Sequence, residues 1–261
     1  MAQALQTWKS SLDDESRKLL SSWVGPDPCK NWTGISCNSH DVIVTSINLG
    51  NFQLQGNLDQ FNFSALSSSL ENLDLGFNNL DGQMPVSLGH LTRLRYLNLE
   101  GNTLSGLIPS SFENFTRIEY LYLQQNRLTG PILPKIGNPE TLIDLRLFDN
   151  YLTGSIPGSL GNYTRLVSLY LHKNQLSGSI PIALGKLETL LDLALSVNNL
   201  TGSFPEELNN LTMKLETLAL GSNKLSGHLP TRACFSGSLQ IFSVNRIFFL
   251  KWCCIALVVS Q

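Results

Sequence analysis

Apolar and polar positions alternate in short bursts along this chain, and the bursts recur at a fixed distance. Leu-x-Leu-x-x-Asn steps carry Asn78, Asn102, Asn126, Asn150, Asn174, Asn198 and Asn223, spaced by 24 residues five times and then by 25. Glycines follow in phase at Gly82, Gly106, Gly130, Gly154, Gly178, Gly202 and Gly227. An earlier unit, Ile47-x-Leu49 with Leu54 and Gly56, fits except that Phe52 takes the Asn position, which makes eight units. Such a period is the mark of an architecture in which each unit stacks on the next.

Each recurring position has a physical reason. Leu-x-Leu alternation predicts a short strand with its leucines on one face. One such strand cannot bury that face alone, whereas a parallel stack of neighbours does. The Asn falls where the chain turns out of the strand, so its amide is expected to satisfy backbone groups of adjacent turns, forming a ladder. Gly serves the tight turn that follows. Dipeptides such as Ile108-Pro109, Ile156-Pro157, Ile180-Pro181 and Leu229-Pro230 place an extended residue before proline. Leu-Gly-x-Leu segments, as in Leu184-Gly185-Lys186-Leu187, predict a short helical return on the convex side. The unit from Leu128 departs from the pattern with Pro131, Pro134 and Pro139, and predicts a local distortion.

Composition narrows the function. Eighteen Lys and Arg against 20 Asp and Glu exclude a basic nucleic-acid binder and an acidic disordered tail. Charged residues are only 15% of the chain, against about 25% in an ordinary soluble domain, while 49 Leu and 23 Asn supply the core and the turns. No catalytic set emerges. His40, His90, His172 and His228 lie in distant units, and GSIPIALGKL (178–187) has six residues between its glycines where a phosphate loop has four. The five cysteines form no C-x-x-C pair, so neither a metal nor a cofactor is expected. Sequons stand at Asn31, Asn62, Asn114, Asn162, Asn199 and Asn210. Three of these are 48 residues apart, which fits either a column of glycans on a secreted surface or the repeat consensus itself.

The unit L-x-x-L-x-L-x-x-N-x-L-[ST]-G-x-I-P-x-x-L-G-x resembles the plant-specific leucine-rich repeat, and the Leu-Ser-Gly or Leu-Thr-Gly steps are its most specific mark. The N-terminal segment, ALQTWKSSLDDESRKLLSSW followed by CKNWTGISC, resembles the cap of plant leucine-rich-repeat receptor-like kinases and receptor-like proteins. The resemblance spans roughly residues 2–238. It implies an α/β repeat solenoid with a parallel sheet on the concave face, a helical cap over residues 1–45, eight repeats over 46–238, and an incomplete repeat with a non-repeat tail over 239–261. Leu5, Trp8, Leu12, Leu19, Leu20 and Trp23 suit a pair of short amphipathic helices over the first strand. Cys29 and Cys37 fit either a disulfide or two buried thiols. The resemblance, with the sequons, favours the disulfide, worth about 2–3 kcal/mol.

Residues between and after the paired leucines point onto the concave surface. There Tyr96, Tyr120, Tyr122, Arg146, Phe148, Tyr170 and His172 form a patch of the kind that binding hot spots use, although aromatics also favour any sheet surface. Arg146 is the expected anchor for a carboxylate or sulfate. The Arg-x-Arg pair with which peptide receptors of the family hold a ligand carboxylate has no counterpart on this face. By resemblance the function is non-enzymatic recognition at the cell surface, in development or defence signalling, with a peptide or protein ligand and a co-receptor kinase as partners. A soluble inhibitor of pathogen wall-degrading enzymes, of the polygalacturonase-inhibitor type, is the alternative, and a structural wall scaffold a third. No signal peptide is expected in the chain. Residues 247–259, IFFLKWCCIALVV, are 13 long against the roughly 20 apolar residues a span needs, so membrane attachment is expected only through a segment outside this chain. A truncated or mis-spliced product is the expectation for the tail.

Overall fold

The structure, a computed structural model, describes residues 1–38, 40, 42–209, 211–227, 239–243 and 248–249. The sequon at Asn210, His228, the Leu229-Pro230 step, and Cys234, Cys253 and Cys254 lie outside the described residues.

Every Leu-x-Leu step forms a short strand, and the strands stack in parallel and in register. The series Asn72–Asp74, Tyr96–Asn98, Tyr120–Tyr122, Asp144–Arg146, Ser168–Tyr170, Asp192–Ala194 and Thr217–Ala219 pairs leucine with leucine, from Leu73 to Leu218. Val44–Asn48 precedes this series and Ile241–Ser243 follows it. Ile35–Cys37 joins antiparallel at the N-terminal edge and completes a ten-stranded sheet. Leu97, Leu121, Leu145, Leu169 and Leu193 are fully buried, so the repeat period places one continuous core behind the sheet.

The Asn ladder is present in all seven units that carry the Asn. Asn78, Asn102, Asn126, Asn150, Asn174, Asn198 and Asn223 are all buried. Each Oδ1 accepts a backbone N–H of the preceding coil, as Asn150 does from Leu128 at 3.0 Å. Each Nδ2 donates to carbonyls of its own and the preceding coil, as Asn150 does to Leu147 at 3.2 Å and Leu123 at 3.0 Å. The residue before each Asn adopts a left-handed backbone, including Phe77, Gln125, Asp149, Lys173, Val197 and Ser222.

The convex returns are 3-10 turns: Val86–His90, Ser110–Asn114, Gly158–Asn162 and Ile182–Lys186, each opening directly after a proline. Among the described residues the only α-helices are those of the cap. The unit from Leu128 has no such turn between Pro131 and Asp144, which is the distortion expected from its prolines. Tyr163 of the next unit fills the gap. Its hydroxyl accepts the Ile136 N–H at 2.9 Å and donates to the Ile136 carbonyl at 3.2 Å. Tyr163 is itself buried, and this burial raises its phenol pKa. Tyr163→Phe is expected to strand both Ile136 groups and cost about 2 kcal/mol in a urea melt. An unchanged midpoint would mean that water replaces the hydroxyl.

In the cap, helix α1 (Ala2–Ser11) and helix α2 (Asp14–Leu19) cover the first coil. Leu5, Trp8, Leu12, Leu20 and Trp23 are buried as expected. Leu19 is not: at 47% exposure it faces outward, because the short α2 turns Ser16 and Leu20 inward instead. Trp8 stacks on Phe61 with centroids 4.7 Å apart, and Trp23 on Trp32 at 5.4 Å. The three indole N–H groups donate to the Asn57, Thr33 and Val24 carbonyls, so the buried rings leave no donor unpaired. Cys29 and Cys37 form a disulfide, with Cα atoms 5.8 Å apart.

Candidate functional site

The concave sheet positions the site by alternation: with each Leu pair pointing into the core, the intervening side chains point out. Tyr96, Tyr120, Tyr122, Arg146, Phe148, Tyr170 and His172 all lie half-buried on this surface, over four adjacent strands. They form two aromatic groups. Tyr96 meets Tyr122 edge-on at 5.5 Å and Tyr120 at 6.3 Å. Phe148 stacks on His172 at 4.4 Å and meets Tyr170 edge-on at 6.4 Å.

Arg146 joins the groups. Its guanidinium carbon lies 4.5 Å from the Tyr122 ring centroid and 5.4 Å from that of Tyr170. Its Nε and Nη2 are also held by Asp144, the latter at 2.7 Å, and Tyr122 donates its hydroxyl to the same carboxylate at 3.1 Å. The expected anion anchor is therefore internally compensated, because a neighbouring carboxylate already takes one edge of the fork, the Nε and Nη2 donors. Asp144 was not singled out by the sequence pattern. Its signal was its place in the same outward column, two residues before Arg146.

Burial dominates the electrostatics. It pushes the Tyr96 and Tyr170 phenols up to about 12, helped by the negative charges of Asp74 and Asp192 respectively. Tyr122 is raised by burial and then by Asp144. Burial lowers the His172 pKa, with Lys173 adding to the effect. The patch therefore presents hydroxyl donors and ring faces. Among the described residues no group of three or more His, Cys, Asp or Glu is placed to hold a metal ion.

Elsewhere, Asn31, Asn62, Asn114, Asn162 and Asn199 are all exposed, so each described sequon presents its asparagine to solvent. Among the described residues no helix is long and apolar enough to cross a membrane.

A capped stack of Leu-core coils, tied by an Asn ladder and opening an aromatic concave sheet, is a leucine-rich-repeat solenoid. The chain belongs to that family. The leucine rich repeat N-terminal domain matches residues 2–38, and leucine rich repeats match residues 68–128, 141–163 and 165–187. The chain is similar to Receptor-like protein kinase 7 of Arabidopsis thaliana, 39% identical over 99 residues, which cover 37% of this chain and 10% of that kinase. Its fold is similar to the ectodomain of the Arabidopsis thaliana membrane receptor kinase GASSHO1/SCHENGEN3 in complex with CASPARIAN STRIP INTEGRITY FACTOR 2. The TM-score is 0.88 and the identity 34%, over 95% of this chain and 30% of that one. It is also similar to the Arabidopsis receptor kinase HAESA in complex with the peptide hormone IDA and the co-receptor SERK1. Here the TM-score is 0.53 and the identity 30%, over 95% of this chain and 54% of that one. The match thus spans about a tenth of that curated kinase and under a third of the first ectodomain.

Proposed function

We propose that the chain is an extracellular recognition module of the plant receptor-like kinase or receptor-like protein type, which binds a peptide or protein ligand across the concave face and engages a co-receptor kinase. The observation that carries this reading is the continuous aromatic and Arg146 surface from Tyr96 to His172 on adjacent strands. Half-buried tyrosines held by ring contacts lose little conformational freedom on binding, which is what a hot spot requires. The ligand-bound ectodomains similar to this chain, the disulfide and the exposed sequons support the same reading. No step of bond chemistry is involved; the action is association.

The test is capture of peptides from plant apoplastic fluid on the immobilised chain, followed by calorimetry of the captured species. Tyr122→Ala and Tyr170→Ala are each expected to weaken binding about 30-fold, the scale of one hot-spot residue. Tyr151→Ala, on an exposed ring away from the concave sheet, is expected to change nothing. Equal binding by the two concave variants would overturn the reading, and capture of a polygalacturonase in place of a peptide would favour the inhibitor alternative.

A further inference from the structure

We propose that Glu100, with Gln124 beside it, forms a subsite for a cationic side chain of the ligand, a guanidinium or an ammonium. This deepens, and rests on, the reading of the concave face as the ligand surface. Along the outward columns from Asn72 to Gly221 stand four carboxylates, Asp74, Glu100, Asp144 and Asp192, and one guanidinium, Arg146. Three of the four carboxylates are occupied. Asp144 holds Arg146. Asp74 accepts from Asn98 Nδ2 and the Gly76 N–H, each at 3.0 Å. Asp192 accepts from Ser168 Oγ at 3.0 Å. Glu100 alone has no side-chain hydrogen bond or ion pair among the described residues, although it is half-buried and burial raises its pKa.

A second, independent feature lies one strand away. Gln124 is 1% exposed, and its Oε1 is a buried acceptor with no partner. The two residues share one column, since the Gly101 N–H donates to the Gln124 carbonyl at 3.1 Å. Native proteins rarely bury an acceptor without a donor, and each such group costs about 1–3 kcal/mol. Glu100 and Gln124 thus stand at equivalent positions of adjacent units, each with an acceptor that lacks a donor, and a cation seated on the Glu100 carboxylate brings donors to this part of the sheet. The Tyr96 and Tyr122 rings on the same surface add faces that attract a cation. Asp144 takes the Nε and Nη2 donors of Arg146, so within the chain that guanidinium reaches Glu100 only through its charge, which partly offsets the effect of burial, and not through a hydrogen bond. The partner is thus a peptide that presents Arg or Lys to the N-terminal half of the concave sheet.

The experiment is panning of a random dodecapeptide phage library on the full chain, with calorimetry on a synthetic copy of the most enriched peptide. The expected result is a pool rich in Arg or Lys and a peptide that binds about tenfold more weakly to Glu100→Gln. Replacing the peptide's basic residue by citrulline should cost the same tenfold, and Glu100→Gln should then weaken the citrulline peptide no further. Neutral or acidic peptides that bind Glu100→Gln as well as the parent, yet are lost with Tyr122→Ala, would overturn the cationic subsite and leave the ligand surface standing. A pool indifferent to Tyr122→Ala would overturn both.

Discussion

Asn198→Ala is expected to cost about 3 kcal/mol of folding free energy, whereas Asn199→Ala, at the adjacent residue, should stay within about 0.5 kcal/mol. Asn198 is buried, and its Oδ1 is the acceptor for the Leu176 N–H at 3.0 Å. Its Nδ2 donates to the Leu171 and Leu195 carbonyls at 3.0 Å and to Ser196 at 3.3 Å. The ladder is redundant on one side only. The Leu171 carbonyl also accepts from Asn174, and that of Leu195 from Asn223, so both keep a donor when Asn198 is cut back. The Leu176 N–H has no second acceptor and is left unsatisfied in the core, which accounts for most of the cost. Asn199 points to solvent from the neighbouring side strand and loses nothing but exposed surface. Urea melts of enzymatically deglycosylated protein would measure both variants. Because each coil touches only its neighbours, the Asn198 variant is also expected to broaden the transition as the stack loosens at one joint. Equal midpoints for the two variants would remove the ladder from the stability of the fold.

The period alone made the core, the register and the ladder legible. Leu97, Leu121 and Asn126 are where they are because a fixed repeat leaves the chain one way to stack. What was not legible lies where a residue's state is set by a neighbour and not by its own type. The left-handed position before the ladder Asn is a glycine only at Gly101; in the other six units it is occupied by Phe77, Gln125, Asp149, Lys173, Val197 and Ser222. For a β-branched residue such as Val197 that backbone is costly, and the amide bonds of the following Asn hold it there. Leu19 looked like a core residue by type, but the length of α2 turned it outward. The prolines of the unit from Leu128 announced a distortion, yet nothing in that unit announced that Tyr163, 27 residues on from Ile136, would satisfy it. On the concave face the aromatic patch was readable from alternation, because alternation fixes which side chains face out. Its electrostatics were not, because the pairing of Arg146 with Asp144 depends on side-chain geometry within one strand.

Gly161→Ala should lower stability by about 3 kcal/mol, while Gly158→Ala, three residues earlier in the same turn, is expected to be neutral or to stabilise by about 0.5 kcal/mol. Both glycines lie in the 3-10 turn Gly158–Asn162. Neither has a positive φ, so alanine can adopt both backbones, and the difference between the sites is purely one of space. A Cβ on Gly161 would stand 2.1 Å from the Ala183 carbonyl oxygen and 2.5 Å from its carbon, atoms of the next turn in the stack. A Cβ on Gly158 would meet nothing within 4 Å. The obstacle at Gly161 is backbone, so no rotamer change relieves it, and the two turns must move apart. The same contact recurs at Gly89 against Ser111 and at Gly185 against Glu207, so the Leu-Gly step sets the spacing of the convex side. Strand spacing on the concave side is set separately, by hydrogen bonds of the sheet. A forced opening at Gly161 therefore strains the curvature between these two fixed spacings and cannot be absorbed by local repacking. Thermal melts of the two variants would decide the matter, since equal melting temperatures would mean that the convex turns slide freely and that the sheet alone determines the bend of the coil.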